Sequence, residues 1–218
     1  MPYHFLQCTD EQCRFRYPTE VAEAATLRCP RCHGRVVPIT EAAGNPAANA
    51  RPQPAGAAAS RITGLLDNIR SIHNVGSMFR SADGAGLSHL YLAGITATPE
   101  HPKLSKAALG AQETVPWSYD PNGVDAAARL RAQGYRLWAL ERLETSDKLS
   151  IYAHDLPREP MVLVVGNERA GVDPGILAQC DAVFSLPMIG KKASLNAAVA
   201  FGIAVYYLRF GTFAVAPE

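Results

Sequence analysis

The stretch Met161-Val162-Leu163-Val164-Val165-Gly166-Asn167-Glu168-Arg169-Ala170-Gly171 decides the fold. Five apolar residues without alternation predict a strand, Met161–Val165, buried on both faces. A polar turn bounded by Gly166 and Gly171 follows it directly. In parallel α/β sheets, ligands bind at the carboxyl ends of strands. Gly166 and Gly171 offer the close backbone approach of a flat ligand. Glu168 can accept hydrogen bonds from that ligand or brace a neighbouring loop.

Outward from this strand the pattern alternates. Strands are expected at Ile62–Leu66, His89–Ala93, Val115–Tyr119, Tyr135–Leu140 and Ala182–Leu186. Helices are expected from Asn74 to about Gly84, and at Leu104–Leu109, Val124–Gln133, Pro174–Cys180 and Ser194–Arg209. Strands alternating with helices imply a mostly parallel sheet covered by helices. This α/β region occupies residues 61–218. It is preceded by an Ala/Pro-rich linker at 41–60 and a cysteine-rich segment at 1–40.

Hydrophobic residues make up 48% and charged residues 19% of the 218, so a packed core is affordable and global disorder is excluded. The formal net charge of +1 excludes a polybasic strategy for binding nucleic acid but not a local phosphate site. The opening Met1-Pro2-Tyr3-His4-Phe5 has no signal-peptide character. The small-apolar run Ala197–Leu208 falls short of the ~20 residues that span a bilayer. The expectation is a soluble, cytoplasmic protein with reduced cysteines.

Four of the five cysteines form two pairs, Cys8-x4-Cys13 and Cys29-x2-Cys32. Two close thiol pairs at this separation fit a tetrahedral, structural Zn²⁺ site with four sulfur ligands. A segment of this size buries little core, so the metal would supply folding energy. Gly34 is expected to relieve the second turn, and His33 competes as a ligand. Arg14 and Arg16, interleaved with Phe15 and Tyr17, can contact RNA, or the aromatics can form the ribbon's own core. Cys180, alone after a helix, reads as a small buried hydrophobe.

Two further polar clusters connect strands to helices. In Asp67-Asn68-Ile69-Arg70-Ser71-Ile72-His73-Asn74, Asn74 is a good N-cap, and Arg80 further along needs either Asp83 or a phosphate as partner. In Leu186-Pro187-Met188-Ile189-Gly190-Lys191-Lys192-Ala193-Ser194-Leu195-Asn196, Ser194 is the natural N-cap. Asn196, poor for helix propensity, hints at another role. No Gly-x4-Gly-Lys-Ser/Thr loop, Gly-x-Gly-x-x-Gly fingerprint or Gly-x-Ser-x-Gly elbow is present.

The order Asn74-x5-Arg80, Gly166-Asn167-Glu168-x2-Gly171, Leu186-Pro187-Met188-x5-Ser194-Leu195-Asn196 resembles the three motifs of the SpoU/TrmH-type RNA methyltransferases of the SPOUT superfamily. The resemblance covers about residues 61–210. It implies an α/β domain with a C-terminal trefoil knot, a homodimer, and S-adenosylmethionine held by the knot loops. It implies transfer of a methyl group to a ribose 2′-hydroxyl of tRNA or rRNA. Catalytic positions would be Arg80, Asn74, Glu168, Ser194 and Asn196. Cofactor-binding positions would be Leu140, Glu141, Gly166, Asn167, Glu168, Gly171, Leu186, Met188 and Leu195. The competing readings are a zinc-ribbon RNA-binding protein with an inactive knot domain, a generic α/β oxidoreductase, and methylation of a base nitrogen.

Overall fold

Every residue of Met161–Val165 is buried, and this strand lies inside a seven-stranded sheet. The computed structural model describes residues 3–20, 26–42, 60–142, 149–153 and 159–211. Most of the expected linker therefore lies outside the described residues. The chain divides into two compact units, Met1–Ala57 and Ala58–Glu218.

In the smaller unit, β1 (Tyr3–Cys8) pairs antiparallel with β2 (Arg16–Glu20) on one side and β3 (Val36–Glu41) on the other. Its core is Leu6, Cys8, Cys29 and Val36, with Tyr17 and Leu27 packed against it. These three strands were not expected from the sequence. Alternation is too short to register when the core is this small.

The larger unit contains β4 (Ile62–Asp67), α1 (Ile72–Ala85), β5 (Leu90–Ala93), α2 (Leu104–Ala108), α3 (Ala111–Thr114), β6 (Trp117–Asp120) and α4 (Gly123–Ala132). There follow β7 (Arg136–Leu140), β8 (Leu149–Ser150), β9 (Met161–Val165), α5 (Pro174–Leu177), β10 (Ala182–Ser185) and α6 (Ala197–Phe210). The sheet order is β6-β5-β4-β9-β7-β10-β8, and every pairing is parallel. From β4 the chain builds outward through β5 and β6, crosses to β7, and later inserts β9 between β4 and β7. Strand order reverses here, which leaves a crevice at the strands' carboxyl ends.

The two faces of the sheet carry separate cores. Ile62, Leu66, Trp138, Leu140, Leu163 and Val165 pack with α1 and α6. Leu65, Leu137, Ala139, Val162 and Val164 pack with α4 and α5. Period-two alternation sends successive side chains to opposite layers, so the strands read as unbroken apolar runs. Phe201 of α6 lies over Gly64 of β4, where a Cβ would meet Leu90 at 2.7 Å and Phe201 at 3.3 Å. Fully burying such a ring is worth ~1.5–3 kcal/mol.

Several expected boundaries move. The N-cap of α1 is Ser71, not Asn74: the Ser71 hydroxyl accepts from the Asn74 amide at 3.3 Å, and Asn74 sits in the first turn. The N-cap of α6 is Asn196, not Ser194: its Oδ1 accepts from Ala198 N at 2.9 Å and Val199 N at 3.3 Å. Strand β6 begins at Trp117 rather than Val115. Val115 closes the short helix α3, and Pro116 has no N–H for a ladder. Helix α5 stops at Leu177. The trailing Cys180 packs beside the second core, and its thiol donates to the Ile176 carbonyl at 3.3 Å. Burial pushes that thiol up to about 11, consistent with an inert residue.

Candidate active site and thiol cluster

Glu168 leaves the end of β9 and reaches the start of α1. Its Oε2 accepts from the Arg70 amide at 2.9 Å, and its Oε1 from the Ser71 amide at 3.0 Å. Oε1 also accepts from Asn74 Nδ2 at 2.7 Å. The carboxylate thus completes a helix N-terminus, where donors are free and the dipole favours negative charge. Desolvation pushes the carboxyl up. The amides of Arg70, Glu168 and Ser71 and the Asn74 side chain outweigh it, holding the group below its ordinary value.

Asn74 passes the connection onward. Its Oδ1 accepts from Asn196 Nδ2 at 3.0 Å, while Asn196 Oδ1 caps α6. One chain of hydrogen bonds, Asn196–Asn74–Glu168, therefore ties the three polar clusters together. The extra role expected for Asn196 is visible here: one amide serves both helix cap and inter-helix tie.

The Gly166–Gly171 turn is closed on itself. Asn167 and Gly171 exchange backbone hydrogen bonds at 3.0 and 2.9 Å. Asn167 Oδ1 accepts from Arg169 N and Ala170 N, and its Nδ2 donates to the Asn68 carbonyl at 2.7 Å. A Cβ on Gly166 would lie 2.3 Å from the Gly171 and Val172 backbone, and one on Gly171, at φ +77°, would lie 2.4 Å from Glu141 Oε2. Both glycines are thus required by neighbouring protein, not by space kept for a ligand. Glu141 Oε2 accepts from Val172 N at 2.8 Å and its Oε1 from Arg142 N at 2.7 Å, so this carboxylate pins the turn to the end of β7.

A cleft of about 980 Å³ opens at the ends of β7, β9 and β10. All the expected cofactor positions line it: Leu140, Glu141, Gly166, Asn167, Glu168, Gly171, Leu186, Met188 and Leu195. Ser194 and Asn196 line it too. Ser194 is exposed and makes no hydrogen bond with the described residues. Sequence reasoning missed Arg142, Ser150, Arg169 and Ser185 in the lining. It also missed Asn68, whose backbone at φ +56° aims its carbonyl at Asn167. Asn is tolerant of the left-handed region, which is the one local signal available.

Arg80 is not in the cleft lining. It lies six residues beyond Asn74, ~9 Å of helix rise, and it is exposed. Asp83, its structural candidate partner, instead accepts from the Thr114 hydroxyl at 2.6 Å. Arg80 has no ion pair or hydrogen bond with the described residues.

In the smaller unit, the sulfurs of Cys8, Cys13, Cys29 and Cys32 lie within 4.8 Å of one another. Cys8 and Cys32 are 3.5 Å apart, and Cys13 and Cys29 3.7 Å. Four sulfurs bound at ~2.3 Å to one tetrahedral ion would sit ~3.8 Å apart, so the donor set fits zinc. Desolvation raises the Cys29 thiol, but the amides of Cys32 and Arg31 and neighbouring thiols bring it down to about 7. The left-handed positions are Arg14 (φ 45°) and His33 (φ 61°), each following a cysteine, and not Gly34. Gly34 supplies room: a Cβ there would be 3.3 Å from the Cys32 sulfur. His33 is exposed and outside the thiol cluster. Phe15 and Tyr17 pack against each other at 5.8 Å, and Arg16 stands over the Phe5 ring at 5.7 Å.

Residues 62–206 match the model of the SpoU rRNA Methylase family. An α/β fold with a parallel sheet and a carboxyl-end cleft built from these three motifs defines an RNA-methylase type of domain. The chain belongs to the SpoU rRNA Methylase family. It is 34% identical over 155 residues to the 23S rRNA (guanosine(2553)-2′-O)-methyltransferase of Bacillus subtilis, covering 70% of this chain and 59% of that protein. It is 33% identical over 143 residues to a 23S rRNA (guanosine-2′-O-)-methyltransferase of Photorhabdus laumondii, covering 65% and 57%. Among solved structures, the AdoMet-bound rRNA methyltransferase from Sinorhizobium meliloti superposes with a TM-score of 0.63 at 30% identity, covering 68% of this chain and 55% of that one. The SpoU methyltransferase AviRb from Streptomyces viridochromogenes, in complex with AdoMet, gives 0.58 at 32%, covering 67% and 58%. The chain thus spans less than two thirds of the length of each of these relatives. Among the described residues, no helix is long and apolar enough to cross a membrane.

Proposed function

We propose that the protein transfers a methyl group from S-adenosylmethionine to a ribose 2′-hydroxyl of RNA, with rRNA the favoured class. The observation that carries this is the Asn196–Asn74–Glu168 chain beside a cleft large enough for a nucleoside cofactor. The apolar wall of the cleft fits an adenosyl group. Leu140, Leu186, Met188 and Leu195 would enclose the adenine and methionine portions. When bound, the sulfonium supplies an electrophilic methyl and departs as a neutral thioether.

The protein's part is positioning and electrostatics. The 2′-hydroxyl must lose its proton as its oxygen attacks. Glu168 is a poor base for this, being held below its ordinary value and committed to three donors. We assign Glu168, Asn74 and Asn196 to positioning. Arg80 is assigned to the developing alkoxide and adjacent phosphate, through the several N–H donors of its guanidinium. Ser194, unengaged on the cleft wall, is assigned to contact with substrate.

Arg80 lies outside its own chain's cleft, which favours a homodimer with shared sites. Helix α6 exposes Val199, Ile203, Tyr206 and Phe210 at 50%, 38%, 47% and 58%, a stripe at helical spacing. Gly84 of α1 adjoins Tyr206. This apolar stripe beside α1 is the proposed self-complementary interface. The knot expected from the family, a structural zinc in the thiol cluster and a cytoplasmic location complete the reading.

The test uses methyl-labelled S-adenosylmethionine and RNA lacking prior modification, digested to nucleosides. Label in a 2′-O-methyl nucleoside is the expected result. Label on a base would refute the ribose assignment. Absence of both transfer and cofactor binding would favour an RNA-binding protein with an inactive domain.

A further inference from the structure

The smaller unit has a charge asymmetry that neither the zinc reading nor the methyl-transfer reading uses. The first cysteine turn carries Asp10 and Glu11 beside Arg14. The second, from Thr26 to Val37, carries Arg28, Arg31, His33 and Arg35 and no acidic residue. Arg28 and Arg35 face each other directly across an isolated antiparallel bridge. The Cys29 amide donates to the Gly34 carbonyl at 2.9 Å just inside this pair. That is the pattern of a non-hydrogen-bonded pair, in which opposed Cα atoms are ~4.5 Å apart and side chains closest. Both side chains are exposed, and neither has a carboxylate partner among the described residues.

Like charges directly opposite each other on an antiparallel pair are destabilising. A unit with so little core has small reserves against that cost. Two guanidiniums carried by directly opposed residues are instead well suited to an anion that accepts from both, and Arg matches phosphate oxygens with its planar fork. Arg31 and His33, on the intervening turn, extend the same positive edge. By contrast Arg16, singled out from the sequence, is occupied over the Phe5 ring.

We infer that Arg28 and Arg35 form a phosphate clamp through which the small unit grips the RNA backbone. This rests on the RNA-directed reading above and names the surface that the unit contributes to it. The contacts are sequence-independent, so the clamp positions the RNA and does not select a base.

The test measures binding of a fluorescein-labelled RNA hairpin to the full zinc-loaded chain, without S-adenosylmethionine, as salt rises from ~50 to ~200 mM. Each phosphate contact contributes ~0.7–0.9 to the slope of log affinity against log salt. The Arg28→Gln/Arg35→Gln variant should lower the slope by ~1.5 and weaken binding ~10–30-fold near physiological salt. It should keep its zinc. The Arg28→Lys/Arg35→Lys variant should keep most of the slope while losing some affinity, since charge remains but the fork does not. Should the glutamine pair lose zinc, the lysine pair decides. An unchanged slope and affinity in a zinc-loaded glutamine variant overturns the clamp, as does a lysine pair that keeps zinc but no slope. A wild-type chain that does not bind the hairpin at low salt overturns it as well. Methyl transfer is read separately. A chain that binds RNA through these arginines but transfers no methyl refutes the enzymatic reading alone. One that methylates equally well with and without them, and binds equally, refutes the clamp alone.

Discussion

Replacing Glu168 with Gln changes the site by one heavy atom. Three donors converge on two oxygens in the native chain, with the Ser71 amide and Asn74 Nδ2 on Oε1 and the Arg70 amide on Oε2. A glutamine can keep its oxygen toward Ser71 and Asn74, but its NH2 then faces the Arg70 N–H, donor against donor. One charge-assisted hydrogen bond is lost and two become neutral. Bonds to charged groups are worth ~1.5–3 kcal/mol and neutral ones ~0.5–1.5. Glu168 is an exposed residue, so solvent screening discounts the difference to ~1–2 kcal/mol. For a unit of this size that is a fall in Tm of about 2–8 °C at neutral pH. The sign with pH follows from the direction of the shift. The folded-state carboxyl is held below its ordinary 4.5. Its stabilisation is therefore fully present above that value and lost as pH falls through the lower folded-state value. Glutamine does not titrate. The gap between wild type and Glu168→Gln should be constant near neutrality and close on acidification below about pH 4. Melting followed by circular dichroism across that range measures it without any substrate. A gap that persists unchanged into acid, or no gap at neutral pH, refutes the reasoning.

Arg80→Ala should abolish methyl transfer while leaving S-adenosylmethionine affinity within about twofold, since Arg80 is outside the cleft. Loss of cofactor binding in a calorimetric titration would contradict its placement. Gly166→Ala forces a Cβ to within 2.3 Å of the Gly171 backbone, so it should cost ~1–3 kcal/mol and impair cofactor binding. A normal Tm and affinity would show that the turn can shift freely. Ile203→Asp, on the α6 stripe, should convert a dimer to a monomer in sedimentation; an unchanged mass would remove that stripe from the interface. Metal analysis should return about one zinc per chain, with chelation unfolding the smaller unit but not the larger.

The central strand was fully legible because burial on both faces leaves five apolar residues in a row. The cleft was legible because its lining follows directly after strands, where chain order and spatial position coincide. Helix caps were not. Ser71 and Asn74, or Ser194 and Asn196, are all good capping types within three residues of each other. Which one caps depends on what else engages the competitor. Asn74 is drawn away by Glu168, 94 positions on, and tied to Asn196, 122 positions on. No local pattern encodes such pairings. The small strands β1 to β3 were illegible for another reason: among their described side chains only Leu6, Cys8 and Val36 are buried, too few for a period-two pattern to register.

Among the described residues two carboxylates line the cleft, Glu141 and Glu168. Glu141 is consumed by the Val172 and Arg142 amides, and Glu168 by the Arg70 and Ser71 amides with Asn74. Glu168, held below its ordinary value by its donors, is not available to take a proton near neutrality, and no histidine is among the described residues that line the cleft. A pH–rate profile governed by a protein base would show an ionisation between about 5 and 8, the range in which a tuned carboxylate or histidine titrates. Glu168, held low by its donors, supplies none in that range. In the proposed reaction the 2′-hydroxyl proton would pass to solvent or to RNA phosphate, while the Arg80 guanidinium would stabilise the oxygen left behind. The expected profile for wild type is free of an acid-limb ionisation until Glu168 itself protonates and the helix ties loosen. An ionisation near 6 to 7 in kcat that survives in Glu168→Gln would mean that a base from elsewhere, in the substrate or a second chain, completes the site.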